Sequence, residues 1–379
     1  MRPAEVAQVP EYWKTDENYN QDQRALSLIQ ERYSTDKFDF GRDWGGEENG
    51  VSPSIPELHS KIEELYAKKI KEYPSTDQPV LILMAGASGI GKTAKLNSYL
   101  EQLNDFESPE HKKLCELAGI SEGAVRGESF IILSHRDVKE EMCDKGGVQH
   151  IPEDWWSHLG DDIAEDHSYR TENRNDLKSA AIHTESSWLM DKVAEACIEA
   201  RKSIAYDVSV TRPENLEYLL TNADKHGYAR VAISVEGSME QALEGNYKNW
   251  QDRMIISPVG VIEKSYADGR DGQSICRQNI RGLADGEEVL MSNGTKDWYR
   301  YLDAVIEVNR GSSDMGSRPG QGVQKDLTQA PSPQNPVAPF ASDLLTTQHH
   351  SGATRRLSEP GASSSHPFAG QAPSRPRSR

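Results

Sequence analysis

The sequence predicts an α/β protein in which five mainly parallel strands form one sheet flanked by helices. Three observations point to this fold: five short apolar segments are spaced along the chain, helical patterns separate them, and a glycine-rich turn joins the first segment to a helix. Strands that alternate with helices are typical of a parallel sheet with right-handed crossovers. We expect this domain to span residues 51–310 of the 379-residue chain, with an N-terminal arm at 1–50 and a disordered tail at 311–379.

Five segments are predicted to be strands because they are short and apolar. The first, PVLILMA at 79–85, is apolar throughout, as expected for a strand that is buried on both faces of a sheet. The others are SFIILS (129–134), SIAYDVS (203–209), ARVAISV (229–235) and DAVIEV (303–308).

Four segments are predicted to be helices. The segment 54–73 begins with a capping box and carries one apolar stripe. Further helical patterns cover 92–104 and roughly 176–201. The fourth helix is predicted to begin at a second capping box, formed by Thr211 and Glu214.

Composition changes near residue 311. The stretch 311–379 contains nine of the chain's 19 prolines, with Ser, Gly and Gln between them and few large apolar residues. Such a segment cannot bury enough apolar surface to offset the entropy of ordering it, so we predict a disordered tail. The formal net charge is −17, and the acidic surplus lies in residues 1–310. An acidic body argues against broad nucleic-acid binding, which requires surplus lysine and arginine.

No membrane segment is predicted. The longest apolar run, VLILMAGA, is much shorter than the roughly 20 residues that cross a bilayer, and the polar, acidic start does not resemble a signal peptide. The cysteines Cys115, Cys143, Cys197 and Cys276 have neither a CxxC pair nor metal-ligand spacing. We therefore predict a soluble protein with reduced thiols.

The turn after the first strand carries the most specific motif. Its residues fit the pattern G-x-x-x-x-G-K-[ST] in full and are Gly86, Ala87, Ser88, Gly89, Ile90, Gly91, Lys92 and Thr93. Glycines allow backbone N–H groups to turn inward around a β-phosphate, where a Cβ would collide. Lys92 then reaches the β- and γ-phosphates, and the Thr93 hydroxyl binds Mg²⁺. The alternative is a flexible glycine turn, but the buried strand before it and the helix after it favour a site for ATP or GTP.

Asp137 lies just beyond the end of the second predicted strand. Residues at this position border the ligand crevice of a parallel sheet, so Asp137 is a candidate general base that accepts the proton of a substrate hydroxyl. The alternative is an N-cap for the helix that follows. The tripeptide His135-Arg136-Asp137 also occurs in protein kinases, but there an Asn follows the Asp by five residues, and here that residue is Met142.

The segments LILMAGASGIGKT, HRDVKEEM and SIAYDVSVTRPENLEYLLTNADKHGYARVAISV together resemble the zeta-toxin kinases, over roughly residues 78–310. Members of that family are phosphate-loop enzymes that phosphorylate a hydroxyl of UDP-N-acetylsugars. A related branch, found among secreted effectors of plant-pathogenic bacteria, phosphorylates NAD. The phosphate-loop motif is common to the whole superfamily of phosphate-loop proteins. The spacing of the other segments narrows the resemblance to the zeta-toxin kinases.

The resemblance implies that Asp137 is the catalytic base and that Lys92 and Thr93 hold ATP and Mg²⁺. The family also has a strand that ends in Glu or Asp and is followed two residues later by Thr. Here these positions are Asp207 and Ser209. Buried at the end of an apolar run, Asp207 would need a metal or a hydrogen-bond donor.

Three further positions match family residues by spacing. Asp191 corresponds to a carboxylate that precedes the strand-end acid by sixteen residues. Lys248 and Arg270 correspond to arginines that grip the phosphates, with Arg253 as a competitor. From the helical pattern, Asp191 faces either a cleft or water. Lys248 and Arg270 could equally be solvated surface charges.

The resemblance implies an ATP- and Mg²⁺-dependent kinase that transfers the γ-phosphate to a hydroxyl of a nucleotide-bearing small molecule, either a UDP-N-acetylsugar or NAD. It also implies a toxin or secreted effector, with an antitoxin or chaperone protein as partner. From the acidic composition and the short apolar runs, we expect no nucleic-acid or membrane partner. Such a protein is cytoplasmic in the producing cell, or is secreted into a host cell. The alternative is a nucleotide-gated binding protein without kinase activity, whose tail engages partners.

Overall fold

The structure of the protein is a computed structural model. It describes residues 12–33, 54–144, 155–158, 160–161, 165, 174–252, 256–269, 272–290, 296–310 and 315–319. The chain divides into two units, Met1–Val323 and Gln324–Arg379, and all described residues belong to the first. Most of the predicted tail, from residue 320 onward, lies outside the described residues, as do Arg253 and Arg270.

Helices and strands alternate along most of the described chain. The helices are α1 (Tyr12–Thr15), α2 (Glu17–Tyr33), α3 (Ser54–Glu72), α4 (Lys92–Gln102), α5 (Pro109–Ala118), α6 (His135–Asp144), α7 (Asn175–Lys178), α8 (His183–Glu199), α9 (Glu214–Lys225), α10 (Met239–Gln251), α11 (Val259–Ala267) and α12 (Ile275–Asp285). The strands are β1 (Val80–Ala85), β2 (Ile131–Ser134), β3 (Ile204–Val208), β4 (Ala229–Glu236), β5 (Glu287–Leu290), β6 (Lys296–Tyr299), β7 (Ala304–Asn309) and β8 (Met315–Pro319).

Six strands form the main sheet, in the order β2-β3-β1-β4-β7-β8. The first five in this order are parallel, which confirms the predicted five-stranded α/β fold. Strand β8 is added antiparallel to β7 at one edge, and β5 pairs with β6 in a separate antiparallel sheet. From β1 the chain first adds β2 and β3 on one side and then β4 and β7 on the other. The carboxyl end of β1 is therefore the topological switch point, at which sheets of this kind bind ligands.

Strand β1 is buried on both faces of the sheet. Its side chains alternate between two apolar layers, with Leu81 and Leu83 in one layer and Ile82 and Met84 in the other. This alternation follows from the period of two in a β-strand. Burial of each large apolar side chain contributes about 1.5–3 kcal/mol, so β1 is a firm base for the turn that follows it.

The N-terminal region contains helices, whereas the sequence analysis predicted an arm without a clear period. Helix α2 buries Tyr19, Leu26 and Ile29 in a third apolar cluster that includes Trp250 of α10. The prediction missed this docking because the residues that cover α2 come from distant parts of the chain.

The sheet continues beyond residue 310, where the sequence analysis placed the domain boundary. Strand β8 pairs with β7 in a register that joins Met315 to Val308 and Pro319 to Ala304. The sequence of β8, MGSRP, has no apolar alternation. The segment is a strand because its backbone pairs with the free edge of β7, so its own sequence does not predict it.

Two helices begin differently from the prediction. Helix α9 has Pro213 as its N-cap and no side-chain cap, so Thr211 is not the N-cap as predicted. The pattern predicted over 176–201 is divided into α7 and α8. No helix in the described ranges is long and apolar enough to cross a membrane, and the four cysteines are unpaired and buried.

Candidate active site

The turn between β1 and α4, residues Gly86–Thr93, is called the phosphate loop below. Gly86, Gly89 and Gly91 have φ angles of 148°, 76° and 97°. This backbone region favours glycine because the Cβ of another residue would be strained there. Gly91 is the N-cap of α4, so the loop and the first turn of the helix present unpaired N–H groups at the switch point.

Helix α10 lies directly against the phosphate loop. A Cβ at Gly89 would collide with the carbonyl oxygen of Ala242 and the backbone nitrogen of Asn246. A Cβ at Gly245 would in turn collide with the carbonyl oxygen of Gly89. A side chain at either glycine would push α10 away from the loop.

Lys92 lies across the phosphate loop. Its Nζ donates to the carbonyl oxygens of Gly86 and Ala87 at 3.2 and 3.3 Å, and to Ser209 Oγ at 3.3 Å. The ammonium is 3.9 Å from Asp207 Oδ1, and the two side chains are only 11% and 10% exposed. At such low exposure, the two charges interact more strongly than an exposed pair would.

Thr93 and Asp207 bring two oxygen ligands together. Thr93 Oγ1 donates to Asp207 Oδ2 at 2.9 Å across 114 positions of sequence, because Asp207 lies in β3, paired with Met84 of β1. Oxygen donors of this kind suit Mg²⁺. Within the described ranges, no group of three or more His, Cys, Asp or Glu could hold a metal. A Mg²⁺ ion held by Thr93 and Asp207 would therefore need phosphate oxygens and water as its remaining ligands.

A cleft of about 1030 Å³ opens at the carboxyl end of the sheet. We divide the cleft into two sides. The loop side is formed by residues that follow β1, β4 and β7, together with Asp207, which contacts Thr93. The β3 side is formed by residues of α6 and α8 and by the other residues at the end of β3. Side chains of the loop side include Ser88, Lys92, Thr93, Lys248, Ser257 and Arg310. Side chains of the β3 side include His135, Lys139, His183, Asp191, Tyr206 and Arg212.

A carboxylate and a phenol meet on the β3 side. Tyr206 Oη donates to Asp191 Oδ1 at 2.6 Å, and both residues line the cleft. The pKa of Asp191 is raised above its usual value, mainly by desolvation. The hydrogen bond from Tyr206 lowers the pKa, and the charge of Glu195 raises it. The structure thus places Asp191 at the cleft, one of the two positions that the helical pattern left open.

Two uncharged imidazoles lie beside this pair. The rings of His135 and His183 are 5.7 Å apart, and His135 Nδ1 is 3.4 Å from Ser187 Oγ. Desolvation, with the charges of Lys139 and Lys92, lowers the pKa of His135 to about 3. The Lys139 charge is the main cause that lowers the pKa of His183 well below its usual value. Both histidines therefore act as neutral hydrogen-bonding groups near pH 7.

Asp137 is exposed in the first turn of α6 and is not among the residues that line the cleft. Burial, followed by the charge of Asp137, raises the pKa of Tyr66 in α3, so the carboxylate lies toward α3. Its backbone N–H donates to Ser134 Oγ at 3.1 Å, so the cap of this turn is Ser134. Asp137 is thus not among the lining residues, although its neighbours His135 and Arg136 are, and its role as the catalytic base stays a prediction.

The remaining predicted residues divide between the cleft and the part of the chain that is not described. Lys248 in α10 is exposed and lines the loop side. Ser209 follows β3 and accepts a hydrogen bond from Lys92. Arg270 and its competitor Arg253 lie outside the described residues, so their phosphate-binding roles stay predictions.

Several cations that line the cleft were not predicted, among them Arg212, Lys139 and Arg310. Arg212 lies just after β3, Lys139 belongs to α6, and Arg310 follows β7 directly. Arg310 Nη2 is 3.8 Å from Glu244, while its Nη1 is buried without a hydrogen-bond partner among the described residues. Position after a strand could have indicated Arg212 and Arg310, since it is the signal that indicated Asp137.

The fold and the site together define a class: the chain is an α/β protein of the P-loop NTPase fold, with its phosphate loop at the switch point of the sheet. No protein-family model matches the sequence, and no curated protein matches it either.

Solved structures do match. One, with a TM-score of 0.40 and 12% identity, is from the PezAT chromosomal toxin–antitoxin system of Streptococcus pneumoniae, and the match covers 68% of this chain and 81% of that chain. Another is the AvrRxo1-ORF1:ORF2 complex, with a TM-score of 0.37 and 18% identity over 65% of this chain and 67% of that one. The same complex with ATP matches with a TM-score of 0.36 and 17% identity, over 67% and 71%.

The chain is similar in fold to proteins of a toxin–antitoxin system and of the AvrRxo1 complexes. At these identities and TM-scores the likeness concerns the fold alone.

Proposed function

We propose that the protein is a kinase that transfers the γ-phosphate of ATP to a hydroxyl group of a small acceptor molecule. One observation carries the proposal: a single cleft joins the phosphate loop to a second wall on which Tyr206 holds the carboxylate of Asp191. A switch or an ATPase needs only the loop and a water molecule. A second wall of polar side chains is what an acceptor molecule would require.

The loop side supplies the groups that ATP needs. Backbone N–H groups of the phosphate loop and the N-terminus of α4 would bind the β- and γ-phosphates. Lys92 would balance the negative charge that develops during transfer. Thr93 and Asp207 would hold Mg²⁺, which would neutralise part of the charge of the phosphates.

We assign the general base to Asp191. Tyr206 holds Oδ1, and no other described side chain donates to this carboxylate, so Oδ2 can accept a proton. The raised pKa makes Asp191 a stronger base than an ordinary aspartate. As the acceptor oxygen bonds to the γ-phosphorus, the bond from that phosphorus to the bridging oxygen breaks, ADP leaves, and the hydroxyl proton passes to Asp191. Asp137, which the sequence resemblance implies, is the competing assignment.

The chemistry of the β3 side favours an acceptor that carries phosphate. Arg136, Lys139 and Arg212 line this side against the carboxylate of Asp191, in a protein whose overall charge is −17. Arginine in particular recognises phosphate through paired hydrogen bonds. A nucleotide-bearing acceptor such as a UDP-N-acetylsugar or NAD fits this charge pattern.

The biological role is part of the proposal and is supported by the resemblance of the sequence motifs. A toxin or secreted effector of this kind would have a protein partner, either an antitoxin or a chaperone. The rival function is a nucleotide-gated binding protein. It differs in one measurable respect, because its consumption of ATP would not depend on an acceptor.

The test is to incubate the full chain with ATP, Mg²⁺ and a metabolite extract, and to search by mass spectrometry for a molecule that gains one phosphoryl group. A matched reaction with Lys92→Ala controls for contaminating kinases. We expect one class of phosphorylated product, and ADP formation that rises when extract is added. ADP formation that is the same with and without extract would contradict the kinase and favour the gated binding protein.

A further inference from the structure

A chain of hydrogen bonds joins helix α2 to the phosphate loop. Tyr19 Oη accepts from Asn246 Nδ2 of α10 at 3.0 Å. The same amide holds the backbone of Ser257, because Nδ2 donates to its carbonyl oxygen at 2.9 Å and Oδ1 accepts from its N–H at 3.1 Å. Ser257 Oγ lies 2.5 Å from Ser88 Oγ of the phosphate loop. Two residues thus connect Tyr19 to the loop.

The amide at the centre of this chain has both of its N–H donors in use. Asn246 is 1% exposed and Tyr19 is 0% exposed, and burial raises the pKa of Tyr19 to about 12, so its hydroxyl stays neutral. One N–H of Asn246 is donated to Tyr19 and the other to Ser257, and the amide oxygen accepts from Ser257. Removal of the Tyr19 hydroxyl would leave one buried N–H unpaired, and the amide could recover a partner only by loosening its hold on Ser257.

Other contacts hold α2 against the same wall of the cleft. Gln23 Oε1 accepts from the backbone N–H of Val259 at 2.8 Å, two residues beyond Ser257. Asp22 Oδ2 accepts from Trp250 Nε1 of α10 at 2.6 Å. Helix α2 therefore supports α10, which lies against the loop, and the segment that contains Ser257.

We propose that Tyr19, Asn246 and Ser257 are positioning residues of the phosphate loop, through which helix α2 sets the affinity of the cleft for ATP. The inference rests on the proposed function, because it assumes that the loop binds ATP. Tyr19 acts through Asn246 and Ser257, and the chain of hydrogen bonds ends at Ser88 of the phosphate loop.

Tyr247 offers a matched control. Its hydroxyl also joins α10 to the N-terminal region, since Tyr247 Oη donates to Asp16 Oδ2 at 2.8 Å. Tyr247→Phe and Tyr19→Phe each delete one hydroxyl between the same two parts of the molecule, and both keep the ring. Only the Tyr19 hydroxyl is connected to Ser88.

The experiment is calorimetric titration of the full chain with a non-hydrolysable ATP analogue and Mg²⁺, together with KM for ATP and kcat. We expect Tyr19→Phe and Ser257→Ala each to weaken binding about fivefold, the scale of one buried hydrogen bond. KM for ATP should rise with little change in kcat. The double variant should be no weaker than the weaker single variant, because both changes break the same chain. Tyr247→Phe should bind like the wild type.

The outcomes separate this inference from the proposed function. If the wild type does not bind the analogue, or if Lys92→Ala binds it equally well, the proposed function fails and the inference fails with it. If Lys92→Ala alone loses binding while Tyr19→Phe matches Tyr247→Phe, only the positioning role is overturned. Additive losses in the double variant would also overturn it, since they would mean two independent effects.

Discussion

The two sides of the cleft are built in different ways. At the centre of the loop side is the phosphate loop, eight consecutive residues whose backbone forms the anion site, with three glycines at positive φ and a helix that begins at Lys92. Lys248, Ser257 and Arg310 add side chains around it. The β3 side is built from side chains of separate elements, with His135 from α6, His183 and Asp191 from α8, Tyr206 from β3 and Arg212 from the turn after it. A site made of backbone groups is therefore local in sequence, whereas a site made of side chains from separate elements is assembled only by folding.

The largest effect should come from the loop side. We expect Lys92→Ala to remove detectable phosphoryl transfer with any acceptor, because Lys92 serves the phosphates that every acceptor must share. Its cost in stability should be modest, about 1–2 kcal/mol, since the Asp207 carboxylate loses one partner but keeps Thr93. Lys112→Ala, which removes an exposed lysine paired with Glu107, is the control of equal charge change. Normal transfer by Lys92→Ala would disprove the role of the loop.

The second-largest effect concerns the general base on the β3 side. Asp191→Asn keeps the shape of the side chain but cannot accept a proton, so we expect kcat to fall by about 10²–10⁴ with ATP affinity nearly unchanged. Asp137→Asn is the control, and it should transfer phosphate at nearly the wild-type rate because it does not line the cleft. Rate measurements and calorimetry on both variants decide the assignment. A loss confined to Asp137→Asn would restore Asp137 as the base.

A smaller effect tests whether the two sides bind different molecules. Removing one charge-assisted hydrogen bond should raise KM about tenfold for the molecule that it contacts. We expect Arg212→Ala to raise KM for the acceptor and Lys248→Ala to raise KM for ATP, each without the other change. Steady-state kinetics with both substrates varied would measure this. Equal changes in both KM values would mean that the cleft has no such division.

The smallest effect concerns stability against pH on the β3 side. Native His135 stays neutral down to about pH 3, whereas an unfolded histidine binds a proton near pH 6.5. Between these values the unfolded chain binds more protons, so this histidine makes stability fall as pH falls from about 6.5 toward 3. Thermal unfolding of His135→Asn between pH 7 and pH 4 should lose less Tm than the wild type. An identical loss in both proteins would show that His135 is not desolvated.

Much of the fold follows from local sequence pattern. The five parallel strands were predicted, because a strand buried on both faces must be apolar throughout, as in PVLILMA. Strand β8 and helix α2 were not predicted. Their places depend on the free edge of β7 and on Trp250, which the sequences of the two segments do not reveal.

The phosphate loop can be predicted from one short segment, since glycine at positive φ and a helix that begins at a lysine are local properties. Which carboxylates line the cleft depends on how distant elements pack against one another. A position just after a strand indicated Asp137, which is not among the residues that line the cleft, whereas Asp191, in the middle of α8, lines it and accepts a hydrogen bond from Tyr206. Strand order fixes where a backbone ends, but the direction of a side chain depends on helix rotation and on partners distant in sequence.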